Sequence, residues 1–103
     1  MKLLMILSVA EYADEVRKMM VKNNVPVYSE TEMHGFRTEQ HKPDIRSWFA
    51  QGNHGVFSTL FFSFQDETTV NRILEEVKAK NQACEGDREN PFHAYVLGVE
   101  SFV

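Results

Sequence analysis

Apolar and polar positions along the chain fall into six segments of two alternating kinds. Leu3, Leu4, Met5, Ile6 and Leu7 run without alternation, which predicts a strand over Lys2–Ser8 with both faces covered. Ser8 and Glu11 have capping-box spacing, which sets the start of a helix near Val9 or Ala10. Along that helix Tyr12, Val16, Met19, Met20 and Asn23 form one stripe, and Asp14, Glu15, Arg17 and Lys18 face away. Asn23-Asn24 suits a left-handed C-terminal cap, and Pro26 forbids continuation. A second strand is predicted over Val25–Met33. There Val27, Ser29, Thr31 and Met33 alternate with Tyr28, Glu30, Glu32 and His34, the pattern of an edge strand or one half in water.

The second half repeats the scheme. Val56–Phe64 reads as a strand with large aromatics on both faces. Asp66 caps a helix whose Val70, Ile73, Leu74 and Val77 carry the buried stripe, and which fades near Asn81. Cys84–Pro91 is a polar, turn-rich loop, and Phe92–Phe102 is the last strand. The order β-α-β, long loop, β-α-β predicts an α+β fold of the ferredoxin-like kind over residues 1–103 as a single domain. That fold is a four-stranded antiparallel sheet with both helices on one face. Strands 1 and 3 are apolar on both faces while the helices cover only one, so the expectation is self-association through the open face. The competing arrangement is a monomer in which the long loop folds over it.

That loop, His34–Gly55, is much longer than the about two to five residues of a plain hairpin, and loops of such length are usually functional or disordered. It holds His34, His41 and His54 of the four histidines, the only tryptophan, Trp48, and the cations Arg37, Lys42 and Arg46. Pro43–Phe49 has the pattern of one helical turn capped by Asp44, with Ile45, Trp48 and Phe49 on one side ready to dock.

Composition narrows the function classes. With 103 residues, 43% hydrophobic and 25% charged, the chain has the make-up of an ordinary globular domain. A net charge of −4 provides no global field for nucleic acid or an anionic membrane. The apolar opening Met1–Ala10 is too short to span a bilayer and lacks the marks of a signal peptide. Single Cys84 leaves no intrachain disulfide, so a reducing cytoplasm is the expected compartment. Cys84 has no obvious activating partner, although Arg88 and His93 are near in sequence, and no carboxylate pair or nucleophile–base set stands out, so a non-enzymatic role is expected. Gly86, Asp87 and Arg88 form a candidate phosphate cradle, in which glycine lets backbone N–H groups approach an anion and arginine adds a bidentate partner. The plain alternative is an ordinary turn in which Asp87 bonds its own backbone. His34, His41 and His54 are candidate ligands for a divalent metal, though none has the close spacing of a recognisable site.

The run Val27–Arg37, ending in Gly35-Phe36-Arg37, resembles the strand that leads into the T-loop of PII signal-transduction proteins, which ends in Gly-Phe-Gly-Arg. The long loop then stands where those proteins carry their partner-binding T-loop. Glu85-Gly86-Asp87-Arg88, before Phe92–Glu100, is similar to their B-loop. The departures are one glycine fewer at Gly35-Phe36-Arg37, a shortened Gly86-Asp87-Arg88-Glu89 run, and no tyrosine in the loop. The resemblance is to a divergent member of the PII/CutA-like superfamily. It implies a homotrimer that binds a small effector, with an adenine nucleotide as the candidate, at Gly35, Phe36, Arg37, Gly86, Asp87 and Arg88 across a subunit cleft. It further implies a protein partner, with a membrane transporter as the candidate, held by the long loop. Two alternatives stand beside it: a CutA-like metal-binding or metal-tolerance protein, and a small enzyme on the same scaffold.

Overall fold

The computed structural model describes residues 1–36, 56–83 and 90–103. Its elements are β1 (Lys2–Val9), a single 3-10 turn (Ala10–Tyr12), α1 (Ala13–Lys22), β2 (Ser29–Gly35), β3 (Val56–Gln65), α2 (Glu67–Ala83) and β4 (Phe92–Gly98). The four strands form one sheet in the order β2-β3-β1-β4, every neighbouring pair antiparallel. This is the ferredoxin-like α+β arrangement expected from the sequence.

The two unbroken apolar strands occupy the centre. Leu4 and Ile6 of β1 and Phe61 of β3 are fully buried on the helix side of the sheet. Val16, Met19 and Met20 of α1 and Val70, Ile73 and Val77 of α2 pack on them, with Val25 and Phe92 closing the ends. These helix residues are the stripes read from the 3.6-residue period, so the pattern placed both helices on one face. Tyr12 alone departs: it is exposed and rests its ring 5.9 Å from Phe92 at the rim.

Several boundaries move, each for a backbone reason. Ser8 does not cap a helix. It is paired with Thr59 on one side and Phe92 on the other, and its Oγ donates to the Val9 carbonyl at 2.8 Å. Strand pairing on both sides has already fixed this stretch as extended, so the helical path begins with the 3-10 turn and reaches α geometry only at Ala13. Strand β2 begins at Ser29 rather than Val25, because Val25 belongs to the end of α1. The Val25 N–H donates to the Met20 carbonyl and the Asn24 N–H to Val21, while Asn24 sits at φ 59°. That is a Schellman motif with asparagine in the left-handed position, and Val25 packs back into the core beside Met20. Strand β4 stops at Gly98, not Phe102, because its partner β1 starts at Lys2, opposite Gly98. Helix α2 runs on to Ala83, past Asn81.

The two helices are tied by polar contacts converging on Asn23. Its side-chain amide donates to the Met19 carbonyl at 2.9 Å and to Glu76 at 3.1 Å, and its Oδ1 accepts from Arg72 at 3.3 Å. Lys22–Glu76 and Lys80–Glu15 add ion pairs between the same helices. Asn23→Ala should therefore cost about 1–3 kcal/mol of unfolding free energy, since it removes a donor from Glu76 and the acceptor of Arg72, while the Met19 carbonyl keeps the backbone N–H of residue 23. Asn24→Gly, which keeps the left-handed turn, should change little; denaturant unfolding of both variants checks this.

Asp66 caps α2 as expected, its carboxylate accepting from the Thr69 N–H at 2.8 Å. That backbone bond holds the Asp66 carboxyl below its ordinary value. A lowered folded value means the cap contributes fully above the ordinary carboxylate range and loses its contribution as pH falls through the lowered value. Asp66→Asn keeps an acceptor oxygen that cannot titrate in this range. It should flatten this part of the acid dependence, measured by unfolding between pH 7 and pH 2.

Candidate functional site

Antiparallel pairing sends the two candidate segments out of the same end of the sheet. Gly35 at the end of β2 pairs with Val56 at the start of β3, so residues 36–55 leave and return at one point. At that end of the sheet β1 also finishes, with Val9 opposite Ser58, and β4 begins, with Phe92 opposite Ser8. The segment preceding β4 therefore delivers the chain to the same end. β2 and β4 are nevertheless the two outer strands, and three strand spacings, roughly 14 Å, separate them. Within one chain the end of β2 and the start of β4 therefore stand at the same end of the sheet but on its opposite outer strands.

Of that set, Gly35 and Phe36 lie within the described residues; Arg37, Gly86, Asp87 and Arg88 lie outside them, as do His41, His54, Cys84, Trp48 and the expected turn at Pro43–Phe49. Gly35 is buried at the end of its strand and Phe36 is exposed. His34, read from the sequence as a candidate metal ligand, is engaged by aromatic rings. Its imidazole stacks on Phe57 with centroids 4.5 Å apart and planes at 15°, and lies 4.6 Å from Phe36. Among the described residues no three His, Cys, Asp or Glu side chains come together as a metal site. Phe57 carries no motif of its own. Its place beside His34 follows from the β2–β3 register, which pairs the two residues directly.

The second feature of the site is the sheet face turned away from the helices. By alternation from buried Leu4, Ile6 and Phe61, that face carries Leu3, Met5 and Leu7 from β1 and Leu60, Phe62 and Phe64 from β3. Tyr95 and Leu97 extend it onto β4, opposite Met5 and Leu3. Phe62 and Phe64 meet edge to face at 6.5 Å. No described helix lies over this face, and Phe64 and Leu97 remain 52% and 51% exposed. Burial within the face is still enough to push the Tyr95 phenol above its ordinary value. No described helix is long and apolar enough to cross a membrane.

Among known proteins, no family model matches this chain and no curated protein matches it.

Because Gly35 and Val56 already close the β2–β3 ladder, residues beyond Phe36 are not needed to set its register. Replacing Thr38–Asn53 by a short glycine bridge should leave the fold intact, since closure entropy changes slowly with loop length. Unchanged far-ultraviolet circular dichroism and a melting temperature within a few degrees are the expected results; collapse of either would place Trp48 and Phe49 in the core.

Proposed function

We propose that this chain is a PII-like regulatory subunit, trimeric through its open sheet face, rather than an enzyme. The small effector is an anion of the adenine-nucleotide class. It is held between the loop base of one subunit, at Gly35, Phe36 and Arg37, and the Gly86, Asp87 and Arg88 segment of a neighbour. Residues 36–55 meet a protein partner. The observation that supports this reading best is the apolar face on the two central strands and β4, with Phe64 and Leu97 half exposed where no described helix covers them. An aliphatic and aromatic face of this kind is stabilised by burial at about 25 cal/mol per Å² of apolar area removed from water. The topology supports the rest. With the two segments at one end but on opposite outer strands, a ring of subunits is what sets the end of β2 on one copy beside the start of β4 on the next.

The experiment has two arms. Sedimentation equilibrium should give a trimer, and Phe64→Asp or Leu97→Asp should give folded monomers, because both side chains are exposed in the single chain. Calorimetry with ATP and ADP should then show binding by the wild type. Arg37→Ala and Arg88→Ala should weaken it roughly ten- to a hundredfold, the effect of losing one charge-assisted hydrogen bond of about 1.5–3 kcal/mol. A monomeric wild type overturns the assembly. Absent nucleotide binding, with a divalent-metal response that His41→Ala or His54→Ala abolishes, replaces the effector reading by the metal-binding one.

A further inference from the structure

The two outer strands of the sheet are protected very differently. β2 carries Glu30 and Glu32, and Glu30 is gripped by Arg17 of α1 through two bonds of 2.9 Å. Charged side chains on an outer strand discourage another chain from pairing with it. β4, Phe92-His93-Ala94-Tyr95-Val96-Leu97-Gly98, has no Asp, Glu, Lys, Arg or Pro. One of its residues is already matched along its outer side by a side chain that imitates a strand. Asn81 of α2 donates its amide to the Phe92 carbonyl at 3.0 Å and accepts the Phe92 N–H at 3.2 Å.

That clasp also fixes which way the strand faces. If the peptide groups of Phe92 point outward, those of Ala94 and Val96 do too, two and four residues on. Val99, an odd number of residues away, donates inward to the Met1 carbonyl, in agreement. β4 pairs only with β1, so the outward N–H and C=O groups of Ala94 and Val96 have no strand partner among the described residues. Directly beside them, on the helix side, runs a groove of about 350 Å³ between α2 and β4. Its floor includes Leu74, Phe92 and Ala94, and its rim includes Asn71, Glu75 and Lys78.

We infer that β4 and α2 together bind an extended, uncharged peptide of a partner protein, which adds as a fifth strand beside Ala94 and Val96. One aliphatic side chain of that peptide enters the groove against Leu74. The preference for an uncharged peptide follows from the lining, where Lys78 is paired with Glu75 at 3.4 Å and the other polar groups are the amides of Asn71, Asn81 and Asn90 and the imidazole of His93. Strand addition of this kind takes affinity from main-chain hydrogen bonds and specificity from pockets for alternate side chains. A second copy of the chain fits less well than a bare peptide. The helix-side side chains of its own β4, Ala94 and Val96, are already packed against its own core and cannot fill a neighbour's groove. The inference rests on the outer strand and groove alone and does not need the trimer; a neighbour's β2 laid along β4 beyond Phe92 would compete with the peptide for this edge.

The test uses the full chain, isotopically labelled, and an acetylated, amidated hexapeptide of alternating valine and threonine. Titration should slow amide exchange at Ala94 and Val96 and shift the Leu74 methyl resonances. The same peptide N-methylated at alternate residues, which leaves the protein untouched, should bind about tenfold more weakly or worse. Leu74→Glu, on the partly exposed groove floor, should abolish the methyl-pocket contribution without changing the assembly state. Equal binding of the methylated peptide, or no change in exchange at millimolar peptide, overturns the inference. So does protection of Ala94 and Val96 that is already present in the free protein and rises with its concentration, because a second copy would then occupy the strand.

Discussion

The pairing of β1 with β3 is the constraint on which the rest of this molecule depends. Eight consecutive residue pairs, from Lys2 opposite Gln65 to Val9 opposite Ser58, lock two strands that are apolar on both faces. Because side chains alternate with a period of two, that register alone decides that Leu4, Ile6 and Phe61 meet the helices while Leu3, Met5, Phe62 and Phe64 do not. A slip of one residue would exchange the two sets. Each crossover then only has to deliver its helix to the same side, and both do, since parallel strands flanking a central one accept a right-handed connection.

Having both helices on one side leaves a protein of two unequal surfaces. The helix side is finished. Its core is closed by buried aliphatic and aromatic side chains, and its two helices are bound at one end by the Asn23, Arg72 and Glu76 cluster and elsewhere by Lys80 with Glu15. Exposed ion pairs such as Arg17 with Glu30 contribute modestly to stability. Their geometric effect is larger: Glu30 is raised to meet α1, and its carboxyl is held below the ordinary value by hydrogen bonding to Arg17. The other face is apolar, and no described helix covers it.

The ends of the sheet differ as well. At one end, where β2 finishes and β3 begins, His34 stacks on Phe57 and lies against Phe36 to form an aromatic base. Such a base gives a long connection a fixed point of departure, whatever the segment meets beyond it. The side-chain clasp of Asn81 on Phe92 does the corresponding work for β4, holding the first residue of the strand to the last turns of α2.

Much of this was set by the sequence. Helix stripes, strand alternation, the Asp66 cap, the asparagine turn after α1 and the edge character of β2 all arise from interactions between residues close in the chain, so their signals are local and legible. The boundaries that moved did so through distant partners. Ser8 is a plausible helix cap until Thr59 and Phe92 pair with it; Val25 reads as strand until Met20 accepts its N–H; the end of β4 is decided by where β1 begins. The site divides in the same way. Gly35 and Phe36 are singled out in the sequence through the resemblance of Val27–Arg37 to the strand that enters the PII T-loop. The stacking of His34 on Phe57, the clasp of Asn81 on Phe92 and the groove beside Ala94 have no sequence signal, because each joins residues from 11 to 23 positions apart. Only the register of the strands and the landing of α2 on the sheet bring them within reach.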